Sequence, residues 1–125
     1  MRILTLIHGD AKVANFGLRP DGRVAAFDWE MLGVAPAGID LGYYLAINSG
    51  RLARSKEAVA ARYRELLEAG LGAPLADGVW ERLLSVGLLY SAVNLLWSKA
   101  IGLEGGGPRV EAEFDWWVEQ LAARW

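Results

Sequence analysis

The sequence predicts an α+β fold, a short β element followed by about four mainly buried helices, and three observations predict it. Apolar, β-leaning runs occupy Ile3-Leu4-Thr5-Leu6-Ile7 and the two arms around Pro20-Asp21-Gly22. Beyond residue 38, apolar residues recur mostly at helical spacing. Gly, Pro and capping residues fall at the joints between these stretches.

In order, Ile3–Ile7 reads as a strand whose buried end delivers His8 and Asp10. Phe16-Gly17-Leu18 starts a second strand, Pro20-Asp21-Gly22 turns the chain, and Val24-Ala25-Ala26-Phe27 returns it to Asp28. Residues 31–38, with Gly33, Pro36 and Gly38, read as a loop. Ile39–Ile47 opens an apolar helix expected to be buried, with Asp40 placed to cap its free N–H groups. After the basic link Arg51–Arg54, Ser55 caps a helix over about 56–70. Val59, Tyr63, Leu66 and Leu67 form its apolar stripe. Gly70 and Gly72 end it, and Pro74 prevents a restart. Asp77 is expected to cap a long helix reaching about Ile101, apolar on more than one side through Trp80, Leu83, Leu84, Leu88, Val93, Leu96 and Trp97. Gly105–Gly107 form a loop, and Pro108 suits a first helical position. The last helix, to about Arg124, carries Val110, Phe114, Trp117, Val118, Leu121 and Trp125 on one face.

The whole chain, 1–125, has the length of a single domain, and 54% apolar residues with six Trp provide for a real core. The absence of Cys excludes disulfides, thiolate zinc sites and cysteine nucleophiles, and fits a reducing cytoplasm. A formal charge of −2 leaves no electrostatic footprint for nucleic acid. The apolar start at Met1–Ile7 is too short for a signal peptide. The run Leu83–Trp97, interrupted by Ser85, Ser91 and Asn94, is too short to span a bilayer. The expectation is a cytoplasmic protein without nucleic-acid or membrane partners.

The chemistry gathers in His8-Gly9-Asp10-Ala11-Lys12-Val13-Ala14-Asn15 and Asp28-Trp29-Glu30. A hairpin between residues 16 and 27 brings Asp28 back beside Asn15, so that Asp10, Asn15 and Asp28 converge. A carboxylate and an amide suit Mg²⁺, which needs only one or two carboxylates when substrate phosphates complete its shell. Asp10 is then free to orient, or take a proton from, a nucleophile. His8 reads as a residue bracing the loop and not as a base. Trp29 and Glu30 read as packing and anchoring groups. The last helix region holds Glu104, Glu111, Glu113, Asp115 and Glu119 against Arg109 and Arg124, a solvated acidic face more readily than a cradle for a cation.

His8-Gly9-Asp10, Asn15, Asp28-Trp29-Glu30 and Asp40-Leu41 at these spacings resemble the aminoglycoside phosphotransferase and choline kinase superfamily, which has a protein-kinase-like fold. The resemblance is specific over residues 3–46. It implies a kinase C-terminal lobe that transfers the γ-phosphate of ATP to a hydroxyl of an aminoglycoside, choline or related small molecule. It implies Asp10 as the catalytic base, Asn15 and Asp28 as Mg²⁺ ligands, and a brace for the catalytic loop at Asp40. It also gives Lys12 a phosphate-contacting role, while the residues alone leave plain solvation equally open.

The pattern departs from the family in lacking a Gly-rich phosphate loop, a strand-borne Lys and its partner Glu ahead of His8. The 125 residues are therefore expected to be a partial kinase domain without its nucleotide-binding lobe, weak or inactive alone. The alternative is a non-catalytic remnant or interaction module. A Mg²⁺-dependent phosphohydrolase is disfavoured because Asn five residues after Asp10 is a kinase habit. Wide apolar helix faces lead to a further expectation of self-association or a partner chain.

Overall fold

The structure is a computed structural model that describes residues 3–125; Met1 and Arg2, where the apolar start begins, lie outside the described residues. Two small antiparallel sheets and four helices follow one another, so the fold is α+β as the pattern predicts. The strands are β1 (Leu4–Ile7), β2 (Phe16–Leu18), β3 (Val24–Ala26) and β4 (Gly33–Pro36). The helices are α1 (Gly38–Ile47), α2 (Lys56–Leu71), α3 (Asp77–Gly102) and α4 (Pro108–Ala122). Single 3₁₀ turns at Val13–Asn15 and Ser49–Arg51 connect them.

β2 and β3 form the expected hairpin, with Phe16 opposite Ala26 and Leu18 opposite Val24. β4 corrects the reading of 31–38 as a loop: it pairs with β1, Leu4 opposite Pro36 and Ile7 opposite Gly33. Four residues framed by Gly and Pro carry loop signals locally. They become a strand because β1 offers an open edge and Pro36, lacking an N–H, sits at the end of the ladder. Along β1, Leu4 and Leu6 are exposed while Ile7 and His8 are buried, so the strand does enter the core at its loop end.

α1 and α3 cross closely because glycines line the contact. A methyl group on Gly38 would lie 1.9 Å from the Leu83 carbonyl oxygen, and one on Gly87 would lie 1.9 Å from that of Gly38. One on Gly42 would lie 2.1 Å from the Gly87 carbonyl oxygen. Around this crossing Leu41, Leu45, Trp80, Leu83 and Leu88 form the core, joined by Trp117 of α4, which is only 1% exposed. α2 begins as expected, with Ser55 accepting the Ala58 N–H (3.2 Å), and ends at left-handed Gly72. Pro108 opens α4. Asp77 does not cap α3: the cap position is Ala76, and Asp77, the first helical residue, pairs with Arg64 at 2.9 Å. A carboxylate in the first turn still complements the helix dipole, and the Arg64 guanidinium competes for it.

α3 spans 26 residues, and by length and composition alone it is long and apolar enough to cross a membrane. That makes it longer than the Leu83–Trp97 run on which the sequence reading rested. Its Trp80, Leu83, Gly87, Leu88 and Ser91 side is buried. The opposite stripe, Val86, Leu89, Val93, Trp97 and Ile101, is exposed, Val93 by 74%.

α4 is fastened through Glu113. Its carboxylate accepts from Lys56 of α2, from Lys99 of α3 (2.9 Å) and from the Trp117 indole (2.8 Å). Burial pushes this carboxyl up, but the two ammonium groups and the indole outweigh it and hold it below its ordinary value. Lys99 also donates to the Ala46 carbonyl at the end of α1 (2.9 Å), so all four helices meet at one cluster.

Two outcomes follow for stability. Gly87→Ala should lower the free energy of unfolding by about 3 kcal/mol, while Val93→Ala on the exposed stripe should change it by less than about 0.5 kcal/mol, both read from urea midpoints. Because the folded pKa of Glu113 is depressed, its contribution is complete above the unfolded value and is lost as pH falls through the folded one. Glu113→Gln should therefore cost about 3 kcal/mol near neutrality and progressively less in acid, measured by thermal unfolding across pH.

Candidate active site

The loop of residues 8–15 leaves β1 at Ile7 and turns at Gly9, whose φ is +82°. A Cβ there would stand 2.3 Å from the Met31 carbonyl oxygen, so both conformation and space require glycine. Asp40 holds this turn: Oδ2 accepts the His8 N–H (2.7 Å) and Oδ1 accepts the Gly9 N–H (2.9 Å). The α1 cap position is Ala37, with no side-chain cap bond, so Asp40 braces the loop instead of capping its own helix. Its two oxygens are committed to amides of another segment, and such charge-assisted bonds are strong.

His8 is buried between the rings of Phe16 and Trp29. Its Nδ1 accepts the Asp10 N–H (3.3 Å), so the ring proton sits on Nε2 and is donated to the Phe27 carbonyl (2.7 Å). Nδ1 thus braces the loop internally and Nε2 ties it to the hairpin end, the structural role the sequence suggested. Trp29 also donates its indole N–H to the Ala26 carbonyl (3.0 Å).

Asp10 presents its carboxylate to three donors. Oδ2 receives Lys12 Nζ (2.7 Å) and Asn15 Nδ2 (3.0 Å), and Oδ1 receives the Tyr43 hydroxyl (2.9 Å). These bonds, that from Lys12 foremost, hold the Asp10 carboxyl below the ordinary carboxylate range against the opposing effect of burial. Lys12 is raised by the same bond and by the charges of Asp10 and Asp28. Burial, reinforced by the Asp10 carboxylate, pushes the Tyr43 hydroxyl up to about 12, so it stays a donor across the physiological range.

Asn15 is buried, and its Nδ2 also donates to the Asp10 carbonyl (2.9 Å). Both bonds use the amide nitrogen, which leaves Oδ1 its acceptor capacity. Asp28 follows Phe27, whose N–H bonds to the Asn15 carbonyl (2.8 Å) just beyond the last paired residues of the hairpin. It is exposed, and at φ +59° it is the only non-glycine with positive φ among the described residues. Asp tolerates this region better than most residues, and strain of this kind concentrates at functional sites. Asp10, Lys12 and Asn15 are therefore in direct contact. Asp28 stands at the hairpin end, coupled to Lys12 through its charge and not through a hydrogen bond.

Among the described residues no group of three His, Cys, Asp or Glu forms a metal cluster. The donor set nevertheless fits Mg²⁺, since Asn15 Oδ1 and the Asp28 carboxylate are hard oxygens and phosphates commonly supply the remainder. Two supporting residues escaped the sequence reading. Tyr43 lies three residues after Asp40, on the same helical face, and Asn48 ends α1. Asn48, fully buried, accepts the Val13 N–H (2.8 Å) and donates to the Ala11 carbonyl (3.1 Å). The signals available were the i, i+3 spacing and an amide closing an apolar helix.

The model of the APH phosphotransferase enzyme family matches residues 3–84. That span covers the loop of residues 8–15, the hairpin, α1, α2 and the start of α3, well over half of the chain. The chain belongs to this family. No curated protein and no solved structure matches it. Membership makes a phosphotransferase type of function the general assignment, and the matched span contains Asp10, Lys12, Asn15, Asp28 and the supporting Asp40, Tyr43 and Asn48. The rest of α3 and all of α4 lie beyond the family match.

Mn²⁺ serves as a paramagnetic stand-in for Mg²⁺ here. Titration should broaden amide resonances around Asn15 and Asp28 first, and Asp28→Asn, which keeps the left-handed backbone, should weaken that effect at least about tenfold. Equal broadening in both proteins would remove Asp28 from the metal site.

Proposed function

We propose that the chain carries the catalytic-loop half of an ATP-dependent small-molecule kinase, transferring the γ-phosphate to an acceptor hydroxyl. The observation that carries this reading is the Asp10 carboxylate, fixed by Lys12, Asn15 and Tyr43 beside a hairpin end bearing Asp28. Its depressed pKa keeps it ionised at neutral pH and makes it a weak base. Asp10 would therefore act first by orienting the acceptor hydroxyl, and take the proton late, as bonding to phosphorus proceeds. That suits a loose phosphoryl-transfer transition state, in which positioning and electrostatics supply most of the catalysis.

Asn15 and Asp28 would hold Mg²⁺. When bound, that ion neutralises charge on the phosphate oxygens. Lys12, shared between the fields of Asp10 and Asp28, would offer its remaining N–H donors to the transferred phosphate. The acceptor class proposed is that of the resemblance: an aminoglycoside, choline, or another small alcohol. Among the described residues the Gly105–Gly107 run lies between α3 and α4, not between strands, and supplies no phosphate cradle. We expect the 125 residues alone to turn over weakly or not at all, and a nucleotide-binding lobe supplied in trans to raise the rate.

A second reading, an interaction module without catalysis, is favoured by the exposed α3 stripe from Val86 to Ile101. One experiment separates the two. With such a lobe supplied, ATP-dependent phosphorylation of kanamycin, choline and sugar alcohols should fall at least about a hundredfold in kcat for Asp10→Asn, with ATP affinity unchanged. No turnover under any of these conditions, together with concentration-dependent sedimentation abolished by Trp97→Lys, would favour the module.

A further inference from the structure

A cleft of about 640 Å³ opens where the end of α1, the start of α2, the end of α3 and the start of α4 meet. Its lining includes Ser49, Lys56, Lys99, Arg109, Glu113 and Trp116. Three cationic side chains thus face one carboxylate, an excess of two positive charges in a recess whose lysines and glutamate are largely buried. Lys99 is spent: Glu113, the Ala46 carbonyl and Ser49 Oγ (3.5 Å) take its donors. Lys56 has Glu113 as its hydrogen-bond acceptor and Trp116 beneath its ammonium (4.7 Å to the ring centre), which leaves N–H donors over. Ser49, accepting from Lys99, keeps its own hydroxyl proton. Arg109 has no acceptor among the described residues, and its five N–H donors form a fork suited to tetrahedral oxyanions.

We propose that this cleft binds a phosphate group, held by Arg109, Lys56 and the Ser49 hydroxyl. Charge selects the ligand class. A phosphate monoester carries between one and two negative charges near neutrality and three strong acceptor oxygens, which matches the excess charge and the free donors better than a monocarboxylate does. An acceptor bearing several ammonium groups would be repelled. Glu113, which the sequence offered among the acidic residues of the last helix region, is neutralised by Lys56 and Lys99 and leaves no anionic cradle in the cleft. Ser49 directly follows Asn48, which bonds to the catalytic loop at Ala11 and Val13, so the cleft adjoins the loop from the side of α1. Its α3 and α4 walls lie outside the span that the family shares.

The test uses the full chain and needs no turnover. Inorganic phosphate and glycerol phosphate are titrated at constant ionic strength while the indole N–H resonance of Trp116 is followed. A saturable shift with millimolar or tighter affinity is expected, weakened at least about tenfold in Arg109→Ala and abolished in Arg109→Glu. Arg109 is exposed and stands outside the Glu113 cluster, and unchanged circular dichroism and melting would certify the fold of both variants. Tighter binding of glycerol phosphate would assign the site to an organic phosphate, and tighter binding of inorganic phosphate to the free ion. A linear drift, a response equalled by chloride, or equal affinity in the Arg109 variants would overturn the proposal.

Discussion

The Asp40 carboxylate is the interaction on which the rest of this molecule depends. It closes on two consecutive backbone amides, His8 and Gly9, more than thirty residues earlier in the chain. Those bonds seat the loop of residues 8–15 on α1, and α1 is itself seated on α3 through glycine contacts that allow no side chain. Loop position is thereby inherited from the helix crossing. A backbone turn at left-handed Gly9 has little intrinsic stability, and an ionised acceptor of two amides offsets that deficit with strong bonds. His8 and Asn48 complete the arrangement from the hairpin side and from the end of α1.

The molecule solves two electrostatic problems in different ways. At Asp10 the surrounding donors stabilise a carboxylate that remains partly accessible, which favours ionisation while leaving the group open to solvent. At Glu113 two ammonium groups and an indole surround a largely buried carboxylate, and the result is a joint among helices. Removing one member of such a joint leaves an uncompensated charge, so its mutational cost exceeds its net worth to the fold. The two sites meet at α1, whose Tyr43 donates to Asp10 and whose Ala46 carbonyl accepts from Lys99.

Much of the architecture was legible locally. Ser55, Gly72 and Pro108 mark helix ends by chemistry that acts within one turn of chain, and the β2–β3 hairpin follows from two short apolar arms around a Pro-Asp-Gly turn. β4 was not legible, because Gly33–Pro36 becomes a strand only through the edge of β1. Asp77 carries a cap signal locally but does not cap α3, since Arg64 thirteen residues away claims its carboxylate.

By itself, the sequence determined the α+β class, every strand and α-helix except β4, the residue types of the site and their spacing, since those depend on periodicity, capping and the turn that returns Asp28 toward Asn15. Tertiary structure alone decided which donors each carboxylate meets. Of the two roles open to Asp40, helix cap and loop brace, it selected the brace; it also brought Tyr43 onto Asp10, buried Glu113 between two lysines and left one stripe of α3 uncovered. The physical reason is that hydrogen bonds and ion pairs act over a few ångströms of space, and the chain's folding, not its local pattern, sets which groups come within that range.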